Sequence, residues 1–154
     1  VREGRQNVIV LRTFSKIQGL ANLRIGYGIA APELIEVLQK TRQPFNVNGI
    51  AQEAALAGLA DEEHQQKTRE LTWQGRDYLQ AQFAALGLEY IPSHANFVLV
   101  KVGNGTQLFK QLLKVGIIIR DMSSYKLPEW VRVSVGTAAQ NERFVVELKK
   151  LLGK

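Results

Sequence analysis

The stretch LRTFSKIQGLANLRIGYG, residues 11–28, decides how this sequence folds. It places one lysine, two hydroxyl side chains and one arginine between two apolar runs, NVIVLR at residues 7–12 and IGYGIA at residues 25–30. Continuous apolar runs of this length are typical of strands buried on both faces, so we expect interior strands of an α/β sheet. Functional side chains in such sheets gather at strand ends and in the loops that follow.

The residues after this stretch predict helices. Pro32 suits the first position of a helix that runs to about Arg42, and the segment IAQEAALAGLA predicts a second helix of small residues. From Glu62 to about Leu86 the pattern predicts a long amphipathic helix, which Gly87 would end. Its EEHQQK segment, which contains His64, has the composition of a solvated helix face.

Past Gly87 the pattern changes to short strands alternating with helices. The predicted strands are LEYIP, ANFVLVKV, GIIIRD and WVRVSVG, and the predicted helices are TQLFKQLLKV and QNERFVVELKKLL. This order predicts a βαβ-type mixed unit. We therefore expect a boundary in or just after the long helix, with residues 1–75 in one domain and 76–154 in a second.

Composition limits the possible functions. The chain has 154 residues, 45% of them hydrophobic, so we expect it to form a hydrophobic core. Its net charge is +6, but its basic residues are interleaved with acidic ones, so we expect no binding to nucleic acid. No run approaches the roughly 20 apolar residues of a membrane helix, and VREGRQN lacks the apolar core of a signal peptide. The absence of cysteine fits a cytoplasmic setting and excludes a thiolate metal site, and His64 and His94 are too far apart in sequence to suggest zinc.

Lys16 is the first candidate functional residue. A charged lysine between two buried strands is costly unless its charge is paired or its amine is consumed in a Schiff base, whereas a lysine in an isolated loop is usually only solvated. Here Thr13 and Ser15 supply hydroxyls and Arg24 supplies a guanidinium. Together these groups are the donors that a phosphate needs, next to a reactive amine.

The segment TFSKIQGLANLRIGY resembles the lysine signature of the fold-type I aminotransferases that use pyridoxal 5'-phosphate, and it is most similar to that of the histidinol-phosphate aminotransferases. ANFVLV, GIIIRD and VRVSVGT resemble later segments of that family in the same order. The resemblance implies an α/β fold, namely the end strands of the mostly parallel large-domain sheet followed by a small α/β domain. It also implies a cytoplasmic homodimer acting in histidine biosynthesis on an amino donor such as histidinol phosphate and on 2-oxoglutarate.

The resemblance also implies roles for individual residues. Lys16 would bind the cofactor aldehyde as a Schiff base and then move a proton, and Arg24 would pair with the cofactor phosphate, helped by Ser15 and Thr13. Arg132 shares a strand face with Ser134, where an isolated arginine would simply be solvated. In the family this arginine clamps the substrate carboxylate, and Arg120 would be a second basic group at the substrate site.

The likeness covers only the C-terminal part of the family. The ring-binding aspartate, the stacking aromatic and the partner subunit's tyrosine come earlier in the family, so we expect the 154 residues alone to be poorly active and to self-associate through exposed apolar surface. Alternatives are a broad-specificity or aromatic aminotransferase or a threonine-phosphate decarboxylase of the same fold, a non-catalytic module, and a phosphate-binding α/β domain of unrelated chemistry.

Overall fold

The computed structural model describes residues 4–153, so the start of VREGRQN lies outside the described residues. The chain divides into two compact units, one up to Thr68 and one from Arg69. The division falls within the long helix, which spans Glu62–Ala85 and is called α3 below. The expected boundary after residue 75 lies in the same helix.

The first unit contains two strands and two complete helices. Strands β1, Val10–Thr13, and β2, Gly26–Ile29, pair antiparallel in a two-stranded sheet. Helices α1, Pro32–Thr41, and α2, Gly49–Ala60, follow and confirm the predicted helices, and α3 begins directly after them.

The expectation that these two strands are buried on both faces is wrong for this chain. Every residue of β2 and three of the four in β1 are exposed. Burial on both faces requires neighbouring strands and a covering layer on each side. Among the described residues, β1 and β2 pair only with each other. Their apolar sequences therefore correctly predicted that the segments form strands, but they did not predict that the strands are exposed.

The second unit is built on a four-stranded sheet of antiparallel neighbours. Its strands are β3, Tyr90–Ile91; β4, Phe97–Lys101; β5, Arg120–Asp121; and β6, Trp130–Ser134. Their spatial order is β3-β4-β6-β5. Helix α4, Gly105–Lys114, connects β4 to β5, which run in the same direction on either side of β6. The predicted βαβ unit is thus present, but β6 lies between its two parallel strands.

One face of this sheet forms the core of the second unit. Alternate residues of the two central strands point to that face, where α3, α4 and α5, Ala138–Leu152, cover them. The most deeply buried members are Leu79, Phe83, Val98, Val100, Leu112, Val131 and Leu148. The other residues of β4 and β6 consequently lie on the opposite face, and Arg132 is among them.

Gly87 ends α3 as predicted. It has a left-handed backbone with φ of 66°, and the amide of Leu88 donates to the carbonyl of Phe83 at 2.9 Å. Between residues 4 and 153, no helix is both long and apolar enough to cross a bilayer. In the same residues, no group of three or more histidine or acidic side chains forms a potential metal site.

Candidate active site

Lys16 lies in the connection between β1 and β2, just beyond the end of β1. The backbone on both sides of it is held: the amide of Gly19 donates to the Lys16 carbonyl at 2.9 Å, and the amide of Leu20 donates to the Phe14 carbonyl at 3.0 Å. The Phe14 side chain is buried and its ring centroid lies 5.7 Å from that of Tyr27. Lys16 itself is exposed, contrary to the expectation of a lysine enclosed by strands, because β1 and β2 are not covered.

Two residues with hydroxyl groups precede this lysine, Thr13 and Ser15. The amide of Ser15 donates to Oγ1 of Thr13 at 3.0 Å. Since that oxygen accepts the amide proton, the Thr13 hydroxyl keeps its own proton to donate to another group. Within the described part of the chain the Lys16 amine has no ion pair or hydrogen bond.

Arg24 returns to the same end of the β-ribbon. Thr13 is paired with Gly26, and the amide of Phe14 donates to the Ile25 carbonyl at 3.3 Å, so the backbone just after Arg24 runs beside the residues that precede Lys16. Arg24 has a left-handed backbone with φ of 53°, a conformation that costs a non-glycine residue about 1–3 kcal/mol. Its Nη1 donates to the Ala21 carbonyl at 2.8 Å, which leaves further N–H groups of the guanidinium for a ligand.

His64 contacts this loop, which the sequence analysis missed. Its Nε2 lies 2.9 Å from the carbonyl oxygen of Ile17, the residue directly after Lys16. His64 is exposed, as the prediction of a solvated helix face for the EEHQQK segment requires, but its ring also makes this contact, which the pattern did not predict. The two residues are 47 positions apart, and the local sequence pattern contains no signal for such a contact.

Arg120 and Arg132 lie directly opposite each other in the second unit. They are register partners on β5 and β6, so their side chains project from the same face of the sheet. Like charges in this arrangement repel, by a cost of the order of 0.2–1 kcal/mol for a cross-strand pair. An anion bound between the two guanidinium groups would remove this repulsion.

Arg132 is oriented by an aromatic ring. Its guanidinium carbon lies 5.0 Å from the centroid of the Phe97 ring, within the range of a cation–π contact. Its Nε is buried and has no hydrogen-bond partner among the described residues. A buried donor without a partner is unfavourable, so this group is suited to a ligand that supplies an acceptor.

A carboxylate network supports the strand that carries Arg120. Asp121 accepts hydrogen bonds from the Thr106 hydroxyl at 2.6 Å and from the Ser123 hydroxyl at 2.7 Å. These donors, with that of Thr106 the most important, lower the pKa of Asp121 below its ordinary value. The network fixes the turn that leads to Tyr125, whose hydroxyl lies 3.5 Å from Nη1 of Arg120.

A buried asparagine fixes the chain just after β6. The Gly136 amide donates to Oδ1 of Asn141 at 2.9 Å, and Nδ2 of Asn141 donates to the Gly136 carbonyl at 3.1 Å. Gly75 of α3 lies so close that a Cβ there would be 2.6 Å from Nδ2 of Asn141. Asn141 was not among the residues predicted from the sequence, although a polar residue on the apolar side of a predicted helix is a visible signal.

The sequence-predicted residues thus form two groups. Thr13, Ser15, Lys16 and Arg24 share one connection in the first unit, and Arg120 and Arg132 share one sheet face in the second. The first group offers an amine with phosphate-type donors, and the second offers paired guanidinium groups suited to an acidic substrate.

Comparison with known proteins identifies the family of this chain. Residues 2–148 match the family model of class I and II aminotransferases, and the chain belongs to that family. It is 53% identical over 152 residues to a histidinol-phosphate aminotransferase of Akkermansia muciniphila, covering 99% of this chain and 42% of that protein.

Solved structures give the same fold. The histidinol-phosphate aminotransferase of Sinorhizobium meliloti, in complex with pyridoxal-5'-phosphate, superposes with a TM-score of 0.85 at 30% identity, covering 97% of this chain and 42% of that one. The L-threonine-O-3-phosphate decarboxylase of Porphyromonas gingivalis superposes with a TM-score of 0.85 at 28% identity, covering 99% and 49%. The chain spans 42% and 40% of the length of the first two curated relatives.

Proposed function

We propose that the protein is a pyridoxal-phosphate-dependent aminotransferase acting on histidinol phosphate, or a related amino donor, and 2-oxoglutarate. One observation supports this proposal: Ser15, Lys16 and Arg24 lie in the β1–β2 connection, and the backbone just after Arg24 runs beside Thr13 and Phe14, the residues that lead to Lys16. The high identity to curated histidinol-phosphate aminotransferases supports the choice of substrates.

The donor set fits the cofactor. Bound pyridoxal phosphate supplies an aldehyde and an electron-withdrawing ring. Lys16 would attach to the aldehyde, and once the amino group of the substrate has displaced it, the freed amine would transfer a proton at the substrate α-carbon. Arg24, Thr13 and Ser15 would hold the phosphate, since a guanidinium and hydroxyl donors match its oxygens. The left-handed backbone of Arg24 is a strained feature of the kind that clusters at ligand sites.

Arg132 and Arg120 would hold the acidic part of each substrate. A guanidinium binds carboxylate and phosphate in the same forked geometry, so one arginine pair can serve both 2-oxoglutarate and a phosphorylated amine. An apolar hollow of about 410 Å³ includes Phe97 and Leu99, which share the sheet face of Arg132. It would accommodate the uncharged part of a substrate.

Labelling of Lys16 tests the proposal. The gene product, at whatever length it is naturally made, is incubated with pyridoxal phosphate, reduced with borohydride and digested. Reduction fixes the cofactor to the lysine that binds it, and we expect this label on Lys16. Lys16→Ala should lose the label and lower amino transfer by at least about 100-fold, as expected for a lost general acid–base. Lys40→Ala, which removes an exposed lysine of α1, is the control and should change neither. A label elsewhere, with Lys16 unmodified, would contradict the proposal.

Decarboxylation of a phosphorylated amino acid is the second candidate function. The similarity to the threonine-phosphate decarboxylase structure favours it, because that protein covers this chain as completely as the aminotransferases do. Incubation with threonine phosphate would release carbon dioxide if this candidate is correct. Conversion of 2-oxoglutarate to glutamate with histidinol phosphate as donor would instead support the first.

We also propose that the protein is a cytoplasmic homodimer. Large apolar side chains of the first unit are highly exposed, namely Leu11 at 74%, Phe45 at 97% and Ile50 at 76%. Exposed apolar groups of this size favour association. Sedimentation equilibrium would give a mass of twice the chain mass, and a monomer at all concentrations would contradict the dimer.

A further inference from the structure

We propose that His64 is a positioning residue for Lys16. From the first turn of α3, it holds the loop that carries the Lys16 amine by donating a hydrogen bond from Nε2 to the Ile17 carbonyl, 2.9 Å away. The inference rests on the proposed function of Lys16, and it adds to that function a residue outside the lysine signature.

The direction of this hydrogen bond follows from its chemistry. A backbone carbonyl can only accept, so Nε2 of His64 carries the proton. The Thr68 hydroxyl, one turn further along α3, lies 3.5 Å from the same nitrogen, at the outer limit of a hydrogen bond. The carbonyl of Ile17 is therefore the closer hydrogen-bond partner of this nitrogen.

His64 is itself held in place at the start of the helix. Its backbone amide donates to Oδ1 of Asp61 at 2.9 Å, in the manner of a helix N-cap. Gln65, the next residue, donates from Nε2 to the Gly58 carbonyl at 2.9 Å and so ties α3 to the end of α2. The donor that reaches Ile17 thus comes from the corner between α2 and α3, where these two hydrogen bonds join the helices.

The same corner contacts the loop a second time. A Cβ at Gly58 of α2 would lie only 3.3 Å from Cγ of Gln18, so the glycine allows the Gln18 side chain to pack closely against the helix. Oε1 of Gln18 is buried there without a hydrogen-bond partner in residues 4–153. Ile17 and Gln18 are therefore both fixed by α2 and α3, through different groups.

These contacts have one consequence for Lys16. Its backbone is fixed before it by the buried Phe14 and after it by the hydrogen bond from His64, while its side chain is exposed. Fixing the backbone in advance reduces the conformational entropy that a bond to the cofactor must otherwise remove. His64 would raise cofactor affinity without touching the cofactor.

The test compares three variants of the natural gene product. His64→Leu removes the donor, His64→Gln replaces it with an amide N–H of similar reach, and His94→Leu is the matched control in the exposed loop before β4. Two quantities are measured: hydrogen exchange of the Gly19 and Leu20 amides without cofactor, and the dissociation constant of pyridoxal phosphate from its absorbance.

We expect His64→Leu to speed exchange at both amides and to raise the dissociation constant by about tenfold, which corresponds to about 1.4 kcal/mol. His64→Gln should restore both quantities to within about threefold of wild type, because it keeps the hydrogen bond. His94→Leu should change neither. The circular dichroism spectrum of His64→Leu shows whether the whole protein has unfolded. The spectrum of His64→Gln should match that of wild type.

The outcomes separate this inference from the proposed function. Unchanged exchange and affinity in His64→Leu would overturn the positioning role, and so would faster exchange with unchanged affinity. Failure of His64→Gln to restore a loss would also overturn it. If the wild-type protein attaches no pyridoxal phosphate to Lys16, the proposed function fails, and the exchange data alone decide whether His64 holds the loop.

Discussion

Gly75→Ala is the sharpest test of the packing behind β6. A Cβ at this buried position of α3 would lie 2.6 Å from Nδ2 of Asn141 and 2.6 Å from Cγ1 of Val135. Favourable contacts between carbon atoms occur at about 3.5–4.0 Å, so the helix or these side chains must move by about 1 Å. Movement of Asn141 would break the two hydrogen bonds that join it to Gly136.

The cost can be worked from these contacts. Overpacking of a well-packed interior costs about 1–3 kcal/mol. A buried polar group left without its partner costs about 1–3 kcal/mol more. The better helix propensity of alanine stabilises the folded state by about 1 kcal/mol and offsets part of this cost. We therefore expect Gly75→Ala to lower the free energy of unfolding by about 3 kcal/mol.

Urea unfolding measures this change. Trp73 and Trp130 both lie in the second unit, so tryptophan fluorescence reports its unfolding. The control is Gln74→Ala, at the neighbouring exposed position of α3 in the same unit, where the change should stay within about 0.5 kcal/mol. A Gly75→Ala protein as stable as wild type, or more stable, would refute the close contact.

Three further predictions concern the two candidate groups and their supports. Phe97→Leu removes the ring beside Arg132 and should weaken binding of 2-oxoglutarate by about 2- to 30-fold in calorimetry, the range that a cation–π contact of about 0.5–2 kcal/mol gives; an unchanged affinity would count against the contact. Asp121→Asn should destabilise the protein most at neutral pH. Because the pKa of Asp121 is lowered in the folded protein, its carboxylate stabilises the fold above the ordinary value of 3.8 and loses this effect as the pH falls below it, so urea midpoints of variant and wild type should converge in acid. Gly26→Ala would place a Cβ 2.6 Å from the Arg12 carbonyl oxygen, and it should speed hydrogen exchange along β1 and β2, whereas unchanged exchange would argue against their register.

The sequence pattern within a segment was enough to predict the helices. The helix at Pro32 and the long helix from Glu62 were confirmed because their apolar spacing and end signals lie within the segments themselves. The exposure of β1 and β2 could not be predicted in this way, because burial depends on which other strands cover them. The contact of His64 with Ile17 escaped prediction for a related reason, since it joins residues distant in sequence.

The pairing of Arg120 with Arg132 shows what a resemblance adds. Each arginine was expected at the substrate site from its segment, but their direct opposition on neighbouring strands needs the sheet order. That order cannot be predicted from either segment alone, because β6 follows β5 in the chain but lies between β4 and β5 in the sheet. The resemblance thus supplied candidate residues, and the structure supplied the geometry between them.

The position of β6 between β4 and β5 bears on how the protein is made. The sheet of the second unit cannot close until residues 130–134 have left the ribosome, because β6, which lies between β4 and β5, is synthesised after both of them. Until then, the inner edge of β4 offers unpaired amides and carbonyls to any other extended chain. A stop codon before Trp130 would therefore yield a polypeptide prone to aggregate.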